Sequence, residues 1–302
     1  MEVETFTPRA FPTGSLTCTL QLNFNVGLKS PLPVVNTNLK ILMMKQILIT
    51  NDDGFESKGL LALVEALKPL GHVTVVAPTL EKSACGHSLT LTKPLHFVHL
   101  EEDFYKLDDG TPSDCIFLSL NKLFTKEKRP DIIISGINIG SNMGEDITYS
   151  GTASAAMEAV LQGIPGIAIS QVYKNSGESI KTLGYDLAKE SIATLVEKIF
   201  DGEFPLPARK FLNINIPPVP SSECKGFKVT RAGNRLYAHN AEVHHNPRGK
   251  EYYWIGLPEL GWMETKGHIT DFEAINDGYV SITPVHLDMT SHDDIKSLEK
   301  WL

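Results

Sequence analysis

From Gln46 onward the chain repeats one alternation: a short run rich in β-branched apolar residues, then a stretch with apolar residues at helical spacing. The runs are QILIT (46–50), HVTVVAP (72–78), DIIISG (131–136), GIAIS (166–170) and FLNINIP (211–217). Short, nearly continuous apolar runs bounded by turn residues suit strands buried on both faces of a parallel sheet. The first intervening stretch, SKGLLALVEALKPL, sets Leu60, Leu63, Val64 and Leu67 at helical spacing and stops at Pro69. Further helices are expected over 113–124, 152–163 and 185–200, and short strands flanking a turn over 93–100 and 105–107. Strands alternating with helices predict an α/β fold: Rossmann-like, three-layered, with a mostly parallel sheet and right-handed crossovers.

After Pro217-Pro218 the pattern changes. Residues 227–257, with Tyr237, Tyr252, Tyr253 and Trp254, predict a C-terminal β-hairpin arm suited to subunit contact. A strand is expected over 279–288 and a terminal helix over 291–302, capped by Ser291. The expected organisation is a Rossmann-like core at 45–220 and, at 221–302, an arm, strand and helix that oligomerise and complete the fold. Residues 1–44 hold four prolines, one arginine and no sustained apolar period, and are expected to be a disordered leader or a mis-assigned start upstream of Met43 or Met44.

Composition removes several function classes. With 42% hydrophobic and 21% charged residues the 302-residue chain reads as an ordinary globular protein, and a formal charge of −8 argues against a surface for a nucleic-acid polymer. A small phosphate compound then needs a local positive device, a metal or a helix N-terminus. No apolar stretch is long enough for a signal peptide or a membrane span. Cys18, Cys85, Cys115 and Cys224 are scattered without metal-like spacing, so reduced thiols and a cytoplasmic setting are expected.

The chemistry concentrates at strand ends, where open parallel sheets bind ligands. Asp52 and Asp53 follow the first strand, and Gly54 permits the turn that lets both converge. Converging carboxylates repel unless a proton or cation joins them, and hard oxygen ligands suit Mg²⁺ or Mn²⁺. The bland alternative is an Asp cap on the helix starting near Ser57. A second Asp-Asp-Gly triplet, 108–110, leads into Thr111-Pro112, where Thr111 or Asp109 is expected only to cap the next helix. In SGINIGSNMGEDITYSGTASAA (135–156) the glycines free backbone N–H groups, and Ser150-Gly151-Thr152 opens a small-residue helix whose start suits an anion. Asn138 and Asn142 can each ligate a metal or hold a phosphate oxygen. The spacing is neither G-x-G-x-x-G nor that of a P-loop, and a tight capped loop is the alternative. Ser83 and His87 mimic a nucleophile–base pair, but without G-x-S-x-G or an evident acidic orienter, Ser83 reads better as a hydroxyl beside a cation. Lys58 and Lys82 flank the site and can steer an anion, whereas His286 reads as a packing or surface residue.

Taken together, TNDDG (50–54), APTLEKSACGHS (77–88), DDGTPSDC (108–115), SGINIGSNMG (135–144) and YSGT (149–152) resemble the stationary-phase survival protein SurE family of metal-dependent 5′/3′-nucleotidases. The resemblance covers about residues 45–302; where the family often has Asp followed by Arg or Lys, this chain has Thr79-Leu80. It implies that Asp52, Asp53, Ser83 and Asn138 hold one divalent cation, Mg²⁺ or Mn²⁺, and that phosphate is met near Asn142, Ser150, Gly151 and Thr152. It also implies a cytoplasmic homodimer or homotetramer built with the C-terminal arm. The expected reaction is hydrolysis of nucleoside 5′- (and 3′-) monophosphates, with Asp52 or Asp53 orienting the attacking water. The alternatives are a non-catalytic metal- or nucleotide-binding sensor and an exopolyphosphatase; an aspartyl-phosphate enzyme lacks its D-x-D spacing.

Overall fold

The structure, a computed structural model, describes residues 44–173, 183–237, 241–255, 261–264 and 266–302. The expected leader, apart from Met44, lies outside the described residues, as does Cys18.

Among the described residues one sheet has nine strands. Six run parallel: β1 (Gln46–Thr50), β2 (His72–Pro78), β4 (Phe104–Asp108), β5 (Ile132–Ile139), β6 (Gly166–Gln171) and β7 (Lys210–Ile216). The antiparallel strands stand outside them: β3 (His96–Glu101) at one edge, β13 (Val280–His286) and β8 (Phe227–Val229) at the other. The order is β3-β4-β2-β1-β5-β6-β7-β13-β8. From β1 the chain moves one way to β2, then returns past β1 to β5, so the direction of winding reverses between β1 and β5. That reversal opens the crevice where such sheets bind ligands. Beyond residue 220 the chain adds β8 and β13 to the same sheet, past β7.

Side chains alternate across the sheet with period two. Ile47 and Ile49 face α1 (Lys58–Leu67) and α4 (Asp186–Asp201), packing with Leu60, Leu63, Ile192 and Val196. Leu48 and Ile133 face α2 (Pro112–Lys122) and α3 (Gly151–Leu161), packing with Ile116, Ala155 and Ala159. Three layers result, as expected. Among the described residues no helix is long and apolar enough to cross a membrane.

The C-terminal third departs from the single expected arm. Within 227–257, β8 joins the main sheet, while β9 (Asn234–Leu236) pairs with β12 (Gly261–Met263). Among the described residues, β10 (Ala241–His245) and β11 (Glu251–Ile255) form the one exposed hairpin of this segment, closed where Asn246 N–H donates to the Lys250 carbonyl. Tyr237 stays with the body, its hydroxyl donating to Asp146. The Asp271 carboxylate, at the start of α5 (Asp271–Asn276), accepts the N–H groups of Gly144 (2.8 Å), Gly233 (2.9 Å) and Phe272 (3.0 Å), tying this region to the loop beyond β5. The terminal helix is shorter than expected: α6 is Ile295–Trp301, preceded by a 3₁₀ turn at His292–Asp294. Ser291 does not cap it, because its hydroxyl is used on Asp294.

One close approach fixes how α1 sits on the sheet. A Cβ on Gly59 would lie 2.0 Å from the carbonyl oxygen of Ile137, a backbone atom that cannot give way without moving β5. Gly59→Ala is therefore expected to destabilise by at least ~1–3 kcal/mol through overpacking, and Leu63→Ala by ~2–5 kcal/mol through cavity formation. Leu61→Ala, on the exposed face of the same helix, should change stability by less than ~0.5 kcal/mol. Urea unfolding of the three variants checks this ranking.

Candidate active site

After β1 the chain turns sharply through Asn51–Gly54. Asn51 is fully buried, and its amide nitrogen donates to the Gly54 carbonyl (2.9 Å) and to Ser57 Oγ (2.8 Å). Gly54 takes a positive φ of 94°, which glycine adopts without strain. Ser57 Oγ also accepts the Leu60 N–H and so caps α1. Neither Asp52 nor Asp53 caps the helix that follows them, which removes the bland alternative.

Asp52 instead meets a helix a hundred residues later in sequence. Its Oδ2 accepts the Thr152 N–H at 2.9 Å, and the Thr152 hydroxyl donates to its Oδ1. A Cβ on Gly151 would fall 2.8 Å from both Cβ and Oδ2 of Asp52, so only glycine lets α3 start this close. The first turn of α3 thus directs its positive end at a buried carboxylate. Burial nevertheless dominates: it raises the Asp52 pKa, and the two Thr152 hydrogen bonds only moderate the rise. Asp53 Oδ2 accepts the Ile139 N–H at 3.1 Å. Burial, then the neighbouring charge of Asp52, push the Asp53 carboxyl up to about 7.

The remaining expected residues lie at different removes from this pair. Asn138 is carried by β5 itself, which runs past the expected end at residue 136 through an irregularity between Ser135 and Asn138. Bulges of this kind re-aim side chains beside functional sites. Asn138 is buried beside Ile139, with its amide nitrogen on the Gly140 carbonyl (3.0 Å). The exposed Ser83 joins through its neighbours: Lys82 N–H donates to the Asp52 carbonyl (2.7 Å), and the Ser83 hydroxyl to Glu81 Oε1 (2.7 Å). Asn142 is turned toward β6 and β7, donating its amide to Ser170 Oγ (2.9 Å) and its backbone N–H to Asn215 Oδ1 (3.0 Å). Ser150 Oγ accepts the Ala153 N–H and caps α3. Thr152 uses both of its donors on Asp52, so the helix start holds a protein carboxylate.

Two other expectations resolve locally. The second triplet is a cap: Thr111 Oγ1 accepts the Asp114 N–H, Asp114 accepts the Thr111 N–H, and Asp109 pairs with Lys93. Ser83 and His87 are not partners, because His87 Nε2 lies 3.0 Å from Glu158 Oε2, on α3. Lys58 and His286 are exposed.

Sequence reading missed three participants. Glu81 adds a third negative charge that raises both aspartates further. Tyr173 and Tyr185, two residues past the end of β6 and at the start of α4, hold buried hydroxyls that meet each other. Both phenols are raised, first by burial; among the lesser causes is the charge of Asp53. Only the fold brings these residues to Asp53, so no local pattern marks them.

The donor set fits a hard divalent cation. Among the described residues no group of three or more His, Cys, Asp or Glu side chains is arranged to hold a metal, so a site here must combine carboxylates with amide or hydroxyl oxygens. Two carboxylates raised first by burial, Asp53 also by the charge of Asp52, beside an amide and a hydroxyl, meet that description. The Asn51 side-chain oxygen, also buried here, has no hydrogen-bond donor.

An open α/β sheet whose reversal point gathers two largely buried aspartates before a helix N-terminus defines the class. The chain matches the family described as Survival protein SurE over residues 47–239, and it belongs to that family. It is 76% identical over 258 residues to the 5′-nucleotidase SurE of Sulfurovum sp. (strain NBC37-1), covering 85% of this chain and 98% of that protein. To the 5′-nucleotidase SurE of Aliarcobacter butzleri (strain RM4018) it is 59% identical over 260 residues, covering 86% and 99%. The crystal structure of the SurE protein from Aquifex aeolicus superposes with a TM-score of 0.72 at 43% identity, over 85% of this chain and 99% of that one.

The raised Asp53 has a pH signature in cation-free protein. Its carboxyl is protonated up to about 7 when folded but ionises from 3.8 upward when unfolded. The unfolded state therefore binds fewer protons in that window, and stability falls as pH rises through it. Denaturation in chelator at pH 4.5 and 7.5 should show Asp53→Asn removing part of that fall, on the order of 2 kcal/mol after allowance for solvent screening. The same pH dependence in both proteins would contradict the burial argument.

Proposed function

We propose that this chain is a metal-dependent 5′-nucleotidase, hydrolysing nucleoside 5′-monophosphates, with 3′-monophosphates as further substrates, to nucleoside and phosphate. The observation that carries the reading is the convergence of Asp52 and Asp53 at the sheet's reversal point, directly before the N-terminus of α3. The names of the relatives point the same way. One divalent cation, Mg²⁺ or Mn²⁺, would be held by Asp52, Asp53, Ser83 and Asn138. When bound, it would supply Lewis-acid polarisation of a phosphoryl oxygen and lower the pKa of a water.

This chain's own residues do the rest. Thr152 holds Asp52 in one orientation through two donors. The Ile139 N–H holds one oxygen of Asp53, leaving the other to orient the attacking water and accept its proton. The water oxygen forms the new bond to phosphorus as the ester P–O bond breaks, and the proton that Asp53 takes from the water passes to the departing nucleoside oxygen. Phosphate would lie near Asn142, Ser150, Gly151 and Thr152, and would have to draw the Thr152 donors away from Asp52 to reach the positive end of α3. Positioning and charge stabilisation supply most of the acceleration, since among the described residues His87 is paired with Glu158 and not with the Ser83 hydroxyl.

The same reading includes cytoplasmic location and a homodimer or homotetramer. The exposed apolar side chains of Tyr253, Trp254 and Ile255 on β11 support subunit contact. Phosphate release from a panel of nucleoside monophosphates and short polyphosphates, with and without chelator, tests the activity. Turnover on the mononucleotides should require the cation and fall by ~10²-fold or more in Asp53→Asn and in Asn138→Ala, the scale of losing a key electrostatic group. A folded, cation-loaded protein that releases no phosphate from any mononucleotide would leave the sensor reading in its place.

A further inference from the structure

We infer that Ser170 on β6, with Asn213 and Asn215 on β7, are positioning residues for the reaction: by holding Asn142 they lock the loop that joins Asn138 to the start of α3. The inference rests on the nucleotidase reading, which sets phosphate beside that loop.

The three anchors are fully buried, and their hydrogen bonds converge on Asn142. Asn215 Oδ1 accepts the Asn142 backbone N–H at 3.0 Å. The Asn142 carbonyl accepts the side-chain amides of Asn213 (2.8 Å) and Asn215 (3.1 Å). The Asn142 side-chain amide in turn donates to Ser170 Oγ at 2.9 Å. One loop residue is thus fixed by its backbone N–H, its carbonyl and its side chain, from two strands. What Asn142 gives a phosphate nearby is a fixed loop, because these groups are spent on β6 and β7.

Register places the anchors in line with the site. Ser170 is the β-partner of Asn138 on one side and of Asn215 on the other. Along β7 one face carries Phe211, Asn213 and Asn215 in turn. Phe211 packs with Ala153 and Ala156 of α3, so the face turns polar only toward the loop.

Stability alone does not call for these amides. A buried hydrogen bond contributes little net stability, and a buried acceptor without a donor costs more than such a bond returns. Asn213 Oδ1 is such an acceptor, with no hydrogen-bond partner among the described residues. An amide at 213 is a poor choice for stability and a good one for fixing the Asn142 carbonyl.

The test is inhibition by inorganic phosphate, with KM and kcat for a nucleoside 5′-monophosphate, in the cation-loaded full-length protein. Asn213→Val removes the orphaned acceptor and one donor to the Asn142 carbonyl, which keeps the Asn215 amide. The midpoint of its urea unfolding should not fall. Ser170→Ala releases the Asn142 side chain and keeps the test available should the β7 variant disturb folding. In each, Ki for phosphate and KM should rise together about tenfold or more, the scale of a slight misplacement set up away from the reacting atoms. Mn²⁺ affinity should hold, because Asp52 and Asp53 accept from Thr152 and Ile139 and not from this network. A purely structural role would instead lower kcat per mole of protein through loss of folded enzyme. Ki and KM unchanged from wild type in a folded variant would overturn the inference alone. Wild-type protein that neither turns over the mononucleotide nor binds phosphate would remove the nucleotidase reading, and the inference with it.

Discussion

The contact between Asp52 and the first turn of α3 is the constraint from which the rest of the site follows. A carboxylate with 3% of its surface exposed sits at the N-terminus of a helix and takes both donors of Thr152. Only a glycine at 151 allows that approach. Even so, burial outweighs the hydrogen bonds and the pKa stays raised. The protein has brought Asp52 and Asp53 together without fully neutralising them, and Glu81 adds to the excess. A site in that state has an unmet demand for positive charge, which one hard divalent cation would satisfy.

The fold maintains this arrangement from both ends of the chain. β1 and β5 lie side by side at the reversal of winding, so residues following one and carried by the other share a crevice. The C-terminal region then restrains the loop between Asn138 and α3. Asp271 holds the Gly144 N–H, and Arg235 pairs with Asp146 while its backbone N–H donates to Glu145. These contacts flank Ser150–Thr152 without touching Asp52. The chain past β7 thus contributes two strands of the main sheet and the rear support of the active-site loop.

Much of this was legible in the sequence because periodicity is local. The β-branched runs and the spacing of Leu60, Leu63, Val64 and Leu67 specify strand and helix wherever the chain is read. The two Asp-Asp-Gly triplets show where local reading ends. Thr111 followed by Asp114 contains its whole capping box within four residues, so its role is visible from the letters. The role of Asp52 depends on Thr152 and could be anticipated only from the strand-end rule and the family resemblance. Glu81, Tyr173, Tyr185 and the acidic partner of His87, Glu158, carried no local signal because they meet the site only through tertiary contacts. The aromatic arm was read as a single unit for the opposite reason: β-propensity marks strands but does not say which neighbour each one joins.

The central claim is that the raised carboxylate pair is a cation site. Anomalous diffraction from crystals soaked in Mn²⁺ tests it most directly. The account predicts one strong anomalous peak bounded by the side chains of Asp52, Asp53, Ser83 and Asn138. Fully soaked crystals with no peak there, or with their only ordered ion elsewhere, would contradict it.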